Sequence, residues 1–190
     1  MASLAFQYAD LYLVSLLLTR EEVGQYGAAL RIQALVIAVP TVWGIAAMPR
    51  FARHPHQSKT ELVYWSLALT ASGLLIGLAG IFFSLPLISF LFGSKYRAAT
   101  IILPLLGWSA AGIFASSGPV TWLTITNRQY YILLALVVAD FTGLGLYLLL
   151  AGIFKWGLEG VAISRCATSW LLCCLYLAFC RSKPGRNLPD

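Results

Sequence analysis

Long apolar runs, separated by short polar stretches, are the main pattern along this chain of 190 residues. The runs lack the alternation typical of membrane strands and are too long for them, so they predict α-helices. Each run approaches the ~20 residues with which a helix crosses a bilayer. The predicted spans are residues 4–18, 28–48, 62–85, 98–125, 130–150 and 161–179.

The composition supports membrane helices, because 59% of the residues are hydrophobic and only 11% are charged. A soluble domain is about 45–50% apolar and about 25% charged. We therefore expect an all-α polytopic membrane protein, in which residues 1–180 form one lobe of about six transmembrane helices. The polar residues 181–190 are expected to form a cytoplasmic tail.

Basic residues in the polar stretches predict the orientation, since cytoplasmic loops of membrane proteins are enriched in lysine and arginine. One side of the membrane collects Arg50, Arg53, Lys59, Arg128, Arg181, Lys183 and Arg186, and the other collects Arg20, Lys95, Arg97 and Lys155. The excess on the first side predicts that both termini lie in the cytoplasm and that the loop 93–97 lies outside.

Four ionisable side chains fall inside the predicted spans and are the candidate site residues: Asp10, Arg31, Asp140 and Arg165. An intramembrane charge costs at least ~2.5–3.5 kcal/mol at mid-depth, so such residues commonly mark an ion or substrate pathway. Asp10 and Asp140 are the candidates for ion coupling or gating. An internal Asp–Arg pair that only fixes helix packing is the alternative.

The stretch TREEVGQYGAALRI, residues 19–32, predicts where the second helix begins. Thr19 and Glu22 have the spacing of a capping box, in which each side chain satisfies a backbone donor of the other residue. The helix is therefore expected to begin near Arg20, at the outer surface.

Arg31 lies about three turns inside that helix, at ~1.5 Å per residue. Gly27, Ala34 and Ala38 share its face, and small side chains leave room for a cavity or for a close helix. In a cavity, Arg31 is placed to meet an anionic group, and Arg165 enters the membrane from the same side. The alternative is that Arg31 extends its side chain to the outer headgroups.

Two further patterns concern helix geometry. Pro40, Pro86, Pro104 and Pro119 are expected to interrupt the chain at or within the spans, as in moving transporters. The sequence GLLIG, residues 73–77, has a small-xxx-small pattern and is expected to serve helix packing only.

Enzymatic and metal chemistry have no support in the sequence. The four cysteines all fall in the last predicted helix, at residues 166 to 180, and no histidine lies near them, so neither a disulfide framework nor a metal site is predicted. No phosphate-binding glycine loop, hydrolase nucleophile motif or pair of catalytic carboxylates occurs. We therefore expect a protein that is not an enzyme and that needs no cofactor, apart from H⁺ or Na⁺ as a coupling ion.

Five motifs resemble, in order, the second half of polysaccharide-export flippases of the multidrug/oligosaccharidyl-lipid/polysaccharide exporter superfamily. They are QYADLYLVSLLLTREEVGQYGAALRI at 7–32, PRFAR at 49–53, FLFGSKYRAA at 90–99, TNRQ at 126–129 and GLEGVAIS at 157–164. The resemblance covers almost the whole chain, whereas family members also carry an N-terminal lobe that this chain does not resemble. Each motif alone is weak, and the five in register are specific for the superfamily.

The resemblance implies a flippase that works by alternating access between two helical lobes. Its cargo would be an oligosaccharide on undecaprenyl diphosphate, moved across the bacterial cytoplasmic (inner) membrane for O-antigen, lipopolysaccharide or another surface polysaccharide. Arg31, supported by Arg165, would bind the diphosphate, because a guanidinium fork matches diphosphate oxygens. The implied partners are this lipid-linked oligosaccharide, membrane lipids and a missing N-terminal lobe or second chain, without nucleic acid.

Two alternatives to the flippase remain open. One is a cation-coupled drug or metabolite antiporter of the same superfamily, against which the export motifs weigh. The other is a non-transporting membrane scaffold that assists a polysaccharide assembly complex.

The predicted orientation is tested by cysteine labelling in intact cells. We expect an impermeant thiol reagent to label Ser94→Cys, in the outer loop, and to leave Ser58→Cys, in the cytoplasmic loop, unlabelled. Labelling after the cells are broken open serves as the control for both positions. The reverse pattern in intact cells would contradict the orientation.

Overall fold

The computed structural model describes residues 14–16, 18–53 and 55–181, and this part of the chain is helical without a strand. Five long helices make up most of it: α1 (Arg20–Arg53), α2 (Pro55–Phe92), α3 (Ala99–Ile125), α4 (Gln129–Tyr147) and α5 (Gly157–Arg181). A 3₁₀ turn at Ser94–Tyr96 joins α2 to α3, and a π-helix at Leu148–Ile153 continues α4.

The helices α1, α2, α3 and α5 each contain a stretch of 25 to 33 residues that is long and apolar enough to cross a membrane, and the remaining stretch of this kind, Gln129–Ile153, comprises α4 together with the π-helix. The protein is therefore an all-α, multi-pass membrane protein, and five of the predicted spans are confirmed as helices of that kind. Most of the first predicted span, residues 4–18, lies outside the described residues, and Asp10 is part of it. Most of the polar tail lies outside them as well.

The helices α1, α2 and α5 are longer than the apolar runs that predicted them. α1 has 34 residues, which corresponds to ~51 Å at 1.5 Å per residue, against a hydrocarbon core of about 30 Å. The additional turns are the polar segments at the two ends of α1. Charged side chains there extend into water, so the helix continues beyond the hydrocarbon core.

A capping box begins α1, as the sequence predicted. The backbone N–H of Thr19 donates to Glu22 Oε2 at 2.9 Å, and the backbone N–H of Glu22 donates to Thr19 Oγ1 at 3.4 Å. These two bonds satisfy backbone donors that the first turn of a helix cannot satisfy internally. The start of α1 is thus determined by local chemistry.

The expectation that prolines interrupt the helices is wrong. Pro40 lies inside α1, Pro86 inside α2, and Pro104 and Pro119 inside α3, and each helix continues through them. A proline removes one hydrogen bond of the helical ladder, and the bonds on either side keep the helix continuous where neighbouring helices support it. Among the described residues, the α-helical hydrogen-bonding pattern changes instead at the π-helix after α4, whose sequence LLLAGI contains no proline.

The α3 helix is the centre of the bundle, and α2 packs against it in the antiparallel direction. Their backbones approach along a seam of small residues, in which successive α2 positions meet α3 positions in reverse order. The contacting sets are Ser66 with Gly118, Gly73 with Ala111 and Phe114, Gly77 with Gly107 and Trp108, and Gly80 with Pro104. The GLLIG sequence therefore serves packing, as predicted.

The α5 helix packs on another side of α3, and α4 packs mainly on α5. Gly112 of α3 lies against the backbone of Ser169, and Gly143 of α4 lies against Thr168. The indole N–H of Trp170 donates to the Trp108 carbonyl at 3.1 Å. This arrangement leaves α4 in contact mainly with one neighbour, while α3 is covered on several sides.

The seam between α2 and α3 is tested by adding one methyl group. A Cβ at Gly73 would lie 2.8 Å from Phe114 Cβ and 3.0 Å from Ala111 Cα. We expect Gly73→Ala to lower the free energy of unfolding by ~1–3 kcal/mol, the usual effect of overpacking, and to lower the thermal midpoint in detergent.

Gly145→Ala is the matched control on an exposed position of α4, because a Cβ there has no neighbour within 4 Å. Alanine is favoured over glycine in a helix by about 0.5–1 kcal/mol, so this variant should be as stable as the parent or more stable. Equal destabilisation by the two substitutions would contradict the close seam.

Candidate functional site

A buried hydrogen-bonded chain links three helices inside the bundle. Gln33 of α1 is only 3% exposed, and its Nε2 donates to the carbonyl of Leu106 on α3 at 3.0 Å. Arg165 of α5 donates from Nε to Gln33 Oε1 at 3.1 Å. We call Arg165, Gln33 and the Leu106 carbonyl the polar clamp.

The polar clamp lies at membrane depth. Gln33 is ~20 Å from the first residue of α1, and Arg165 is ~12 Å from the first residue of α5, at 1.5 Å per residue. The starts of these two helices lie at the same end, since a Cβ at Gly157 would come within 3.3 Å of Glu22 Oε1. An arginine at this depth needs polar partners, because hydrocarbon offers none.

An apolar cavity of about 140 Å³ adjoins the clamp, with Gln33 and Leu106 among its lining residues. It lies between α1, α2 and α3, and its lining residues are Ile32, Gln33, Val36, Ile76, Ala79, Gly80, Phe83, Ser84, Leu87, Leu103, Leu106, Gly107 and Ala110. The cavity is partly open to the outside of the bundle, since Phe83 and Leu87 of its lining are exposed, and its wall is almost entirely apolar. The cavity is therefore suited to a hydrocarbon group and unsuited to a charged one.

Arg31 lies on the outer side of α1, away from the clamp. Residues two positions apart in an α-helix point in directions that differ by ~200° around the helix axis. Arg31 and the inward-facing Gln33 therefore point to opposite sides of α1. Arg31 is exposed, as are Ala34 and Ala38 on its face, and a Cβ at Gly27 would meet nothing within 4 Å. The small residues are thus on one face with Arg31, as predicted, and the described helices leave that face open.

Of the predicted site residues that the structure describes, the two arginines are not brought together. Arg31 and Arg165 have similar depth but lie on opposite sides of α1. Asp140 is half-buried on α4, beside the buried Ala139. Asp10 lies outside the described residues.

Sequence reasoning missed Gln33 because it considered only side chains that carry a charge. A neutral amide in an apolar run costs less than an ion, but it still needs hydrogen-bond partners in a membrane. The available signal was a glutamine two positions after Arg31, at the start of an apolar stretch. Its partners on α3 and α5 are 73 and 132 positions away.

A second buried polar contact joins α1 and α4. The hydroxyl groups of Tyr26 and Tyr147 lie 3.4 Å apart, and Tyr147 is the last residue before the π-helix. Next to Tyr26, the Oε1 atom of Gln25 is buried without a hydrogen-bond partner. The first turns of α1 thus contact the end of α4 through polar side chains.

Within the described residues, no group of three histidine, cysteine or acidic side chains is arranged to hold a metal ion. The cysteines Cys166, Cys173, Cys174 and Cys180 are free thiols along α5. Comparison with known proteins gives no match: no family model, no curated protein and no solved structure matches the chain significantly. Function is therefore inferred from the residues and contacts described above.

The different surroundings of the two arginines are tested by removing each charge. Arg165→Met leaves the buried Gln33 Oε1 without the donor described here, which costs ~1–3 kcal/mol, so its thermal midpoint in detergent should fall. Arg31→Met, on the open face, should stay within about 0.5 kcal/mol of the parent. Similar midpoints for the two variants would contradict the polar clamp.

Proposed function

We propose that this chain is one lobe of a flippase that moves oligosaccharides linked to undecaprenyl diphosphate across the bacterial inner membrane, for export of surface polysaccharide. Two features support this proposal together. Five motifs occur in the order found in polysaccharide exporters, and the helices that carry them are long and apolar enough to span a membrane. Transport proceeds by alternating access between this lobe and a second lobe, with both chain termini in the cytoplasm.

The polar clamp is the observation that carries the proposal. The hydrogen bond from Arg165 Nε to Gln33 Oε1 holds this arginine inside the bundle, at the depth of the membrane. A cation held in this way inside the membrane attracts an anion that crosses the bilayer, and a diphosphate is such an anion. Arginines at this depth in membrane proteins commonly mark a substrate or ion pathway.

Arg31 supplies a second cation at similar depth on the open face of α1. This face borders the pathway in the proposal, because an exposed arginine is stable there only where water, a protein group or a phosphate meets it. Since Arg31 and Arg165 lie on opposite sides of α1, they bind the diphosphate at separate points of the pathway. Asp10 and Asp140 couple transport to H⁺ or Na⁺ in the same proposal.

The apolar cavity favours a second candidate function, a cation-coupled antiporter for drugs or metabolites. Its volume of about 140 Å³ suits part of a small hydrophobic compound. If this function is correct, export of toxic hydrophobic dyes will depend on the chain and export of polysaccharide will not. The motif order favours the flippase.

Complementation of a flippase-deficient bacterial strain tests the proposed function, with the second lobe expressed alongside this chain. We expect Arg31→Ala to reduce surface polysaccharide roughly tenfold or more, the effect of losing a charge-assisted contact. Arg31→Lys keeps the charge but loses the bidentate fork, so it should have a smaller effect.

Arg50→Ala is the matched control on the same helix. The Arg50 side chain is 71% exposed and forms a surface ion pair with Glu61 at 3.1 Å, which contributes little to stability. The Arg50→Ala variant should restore surface polysaccharide in the flippase-deficient strain as well as the parent chain does. Full complementation by Arg31→Ala would remove Arg31 from the pathway, and failure of the parent chain to complement would contradict the flippase function.

A further inference from the structure

A second pocket, of about 190 Å³, lies where α2 ends and α3 begins, and we call it the interfacial pocket. Its lining includes Leu85, Ile88 and Ser89 of α2 and Gly93, Ser94 and Arg97 of the connection to α3. The candidate span of α2 ends at Phe92, and that of α3 begins at Ala99. Leu85 lies ~10 Å before Phe92 at 1.5 Å per residue. The interfacial pocket therefore reaches from the edge of the hydrocarbon core to the level of the lipid headgroups.

The polar part of the interfacial pocket is suited to an anion. Arg97 and Ser94 are both exposed lining residues, and their guanidinium and hydroxyl groups are hydrogen-bond donors. No lining residue is acidic. Among the residues that the structure describes, the guanidinium of Arg97 forms no ion pair. An anion that enters the pocket therefore meets a positive charge that no described carboxylate neutralises.

The connection that carries Arg97 is fixed by its own hydrogen bonds. Gly93 has a φ of 81°, which glycine adopts far more readily than other residues, and it ends α2. Its N–H donates to the Ser89 carbonyl at 3.1 Å, and its carbonyl accepts from the N–H of Tyr96 at 3.3 Å. Thr100 Oγ1 donates to the Arg97 carbonyl at 2.6 Å, which joins the backbone of Arg97 to α3. The backbone of the arginine is thus held at the edge of the pocket.

The apolar part of the interfacial pocket continues along α2 into the membrane. Leu78, Ile81 and Leu85 follow one another at spacings of three and four residues, so they lie on one face of the helix. Their side chains are between 44% and 55% exposed. The described helices leave this stripe open, and it leads from the pocket toward the centre of the bilayer. A hydrocarbon chain is able to lie along it.

We propose that the interfacial pocket binds an anionic phospholipid. Arg97 donates to the phosphate group, because a guanidinium fork matches two phosphate oxygens, and Ser94 supplies a further donor. One acyl chain lies along the stripe formed by Leu78, Ile81 and Leu85. The site is distinct from the polar clamp, and the inference does not depend on the proposed function.

Ligand binding to the full chain in a nonionic detergent tests the interfacial pocket. The probes are phosphatidylglycerol, zwitterionic phosphatidylcholine and glycerol phosphate, which has the phosphate group without acyl chains. We expect phosphatidylglycerol to have the lowest dissociation constant of the three, because it combines net negative charge with hydrocarbon. Arg97→Gln should weaken its binding roughly tenfold or more, the effect of losing a charge-assisted hydrogen bond. Arg97→Lys keeps the charge without the fork, so its effect should be smaller.

Lys95→Gln is the matched control for charge. Lys95 belongs to the same connection, but it does not line the interfacial pocket. Its removal should change the dissociation constant of phosphatidylglycerol by about threefold at most, as is usual for an exposed charge. Equal weakening by Lys95→Gln and Arg97→Gln would overturn the inference, because general attraction to the basic connection would then explain the binding.

Ser89→Leu tests the space of the interfacial pocket without a change of charge. Ser89 is an exposed lining residue, so a leucine there should occupy the pocket, leave the thermal midpoint near that of the parent and cause a loss of phosphatidylglycerol binding. Unchanged binding in Ser89→Leu or in Arg97→Gln overturns the inference, as does absence of binding to the parent chain. Equally tight binding of glycerol phosphate overturns the assignment of a lipid in favour of a soluble phosphate compound. Equally tight binding of phosphatidylcholine overturns the preference for an anionic headgroup.

Discussion

The close approach of α2 and α3 along their seam of small residues is the packing constraint on which the described bundle depends. Lipid tails are as apolar as leucine, so membrane helices gain little from the hydrophobic effect when they associate. They associate where backbones come close enough for many van der Waals contacts and for hydrogen bonds. Gly73 and Gly118 provide this closeness on the two helices, and α3 becomes the most buried of the candidate spans.

Once α3 is central, its backbone carbonyls become acceptors for side chains of the surrounding helices. The Leu106 carbonyl accepts from Gln33 of α1, the Trp108 carbonyl accepts from Trp170 of α5, and the Pro119 carbonyl accepts from the thiol of Cys180 of α5 at 3.6 Å. These bonds satisfy polar side chains that would otherwise lie unpaired in hydrocarbon. The position of Arg165 follows from the same arrangement, since Gln33 links it to α3.

The α1 helix separates the two intramembrane arginines and gives its two faces different surroundings. Its inner face takes part in the polar clamp and borders the apolar cavity, whereas Arg31 lies on the open face among small residues. The cavity lies between α1, α2 and α3, and α1 packs mainly on α3 and only slightly on α2.

The sequence alone determined the class of protein and several local features. Apolar runs of this length specify membrane helices because backbone groups in lipid must be satisfied within the helix itself. Two local features were also predictable, because each depends on residues only a few positions apart. They are the capping box at Thr19 and Glu22 and the packing role of residues 73–77.

Only the tertiary structure decided which side of each helix faces its neighbours. A membrane helix is apolar on all sides, so its sequence pattern does not distinguish a face toward lipid from a face toward protein. The separation of Arg31 from Arg165 and the role of Gln33 depend on partners 73 and 132 positions away along the chain. The prolines likewise lie inside continuous helices, because each removes only one hydrogen bond of the helical ladder.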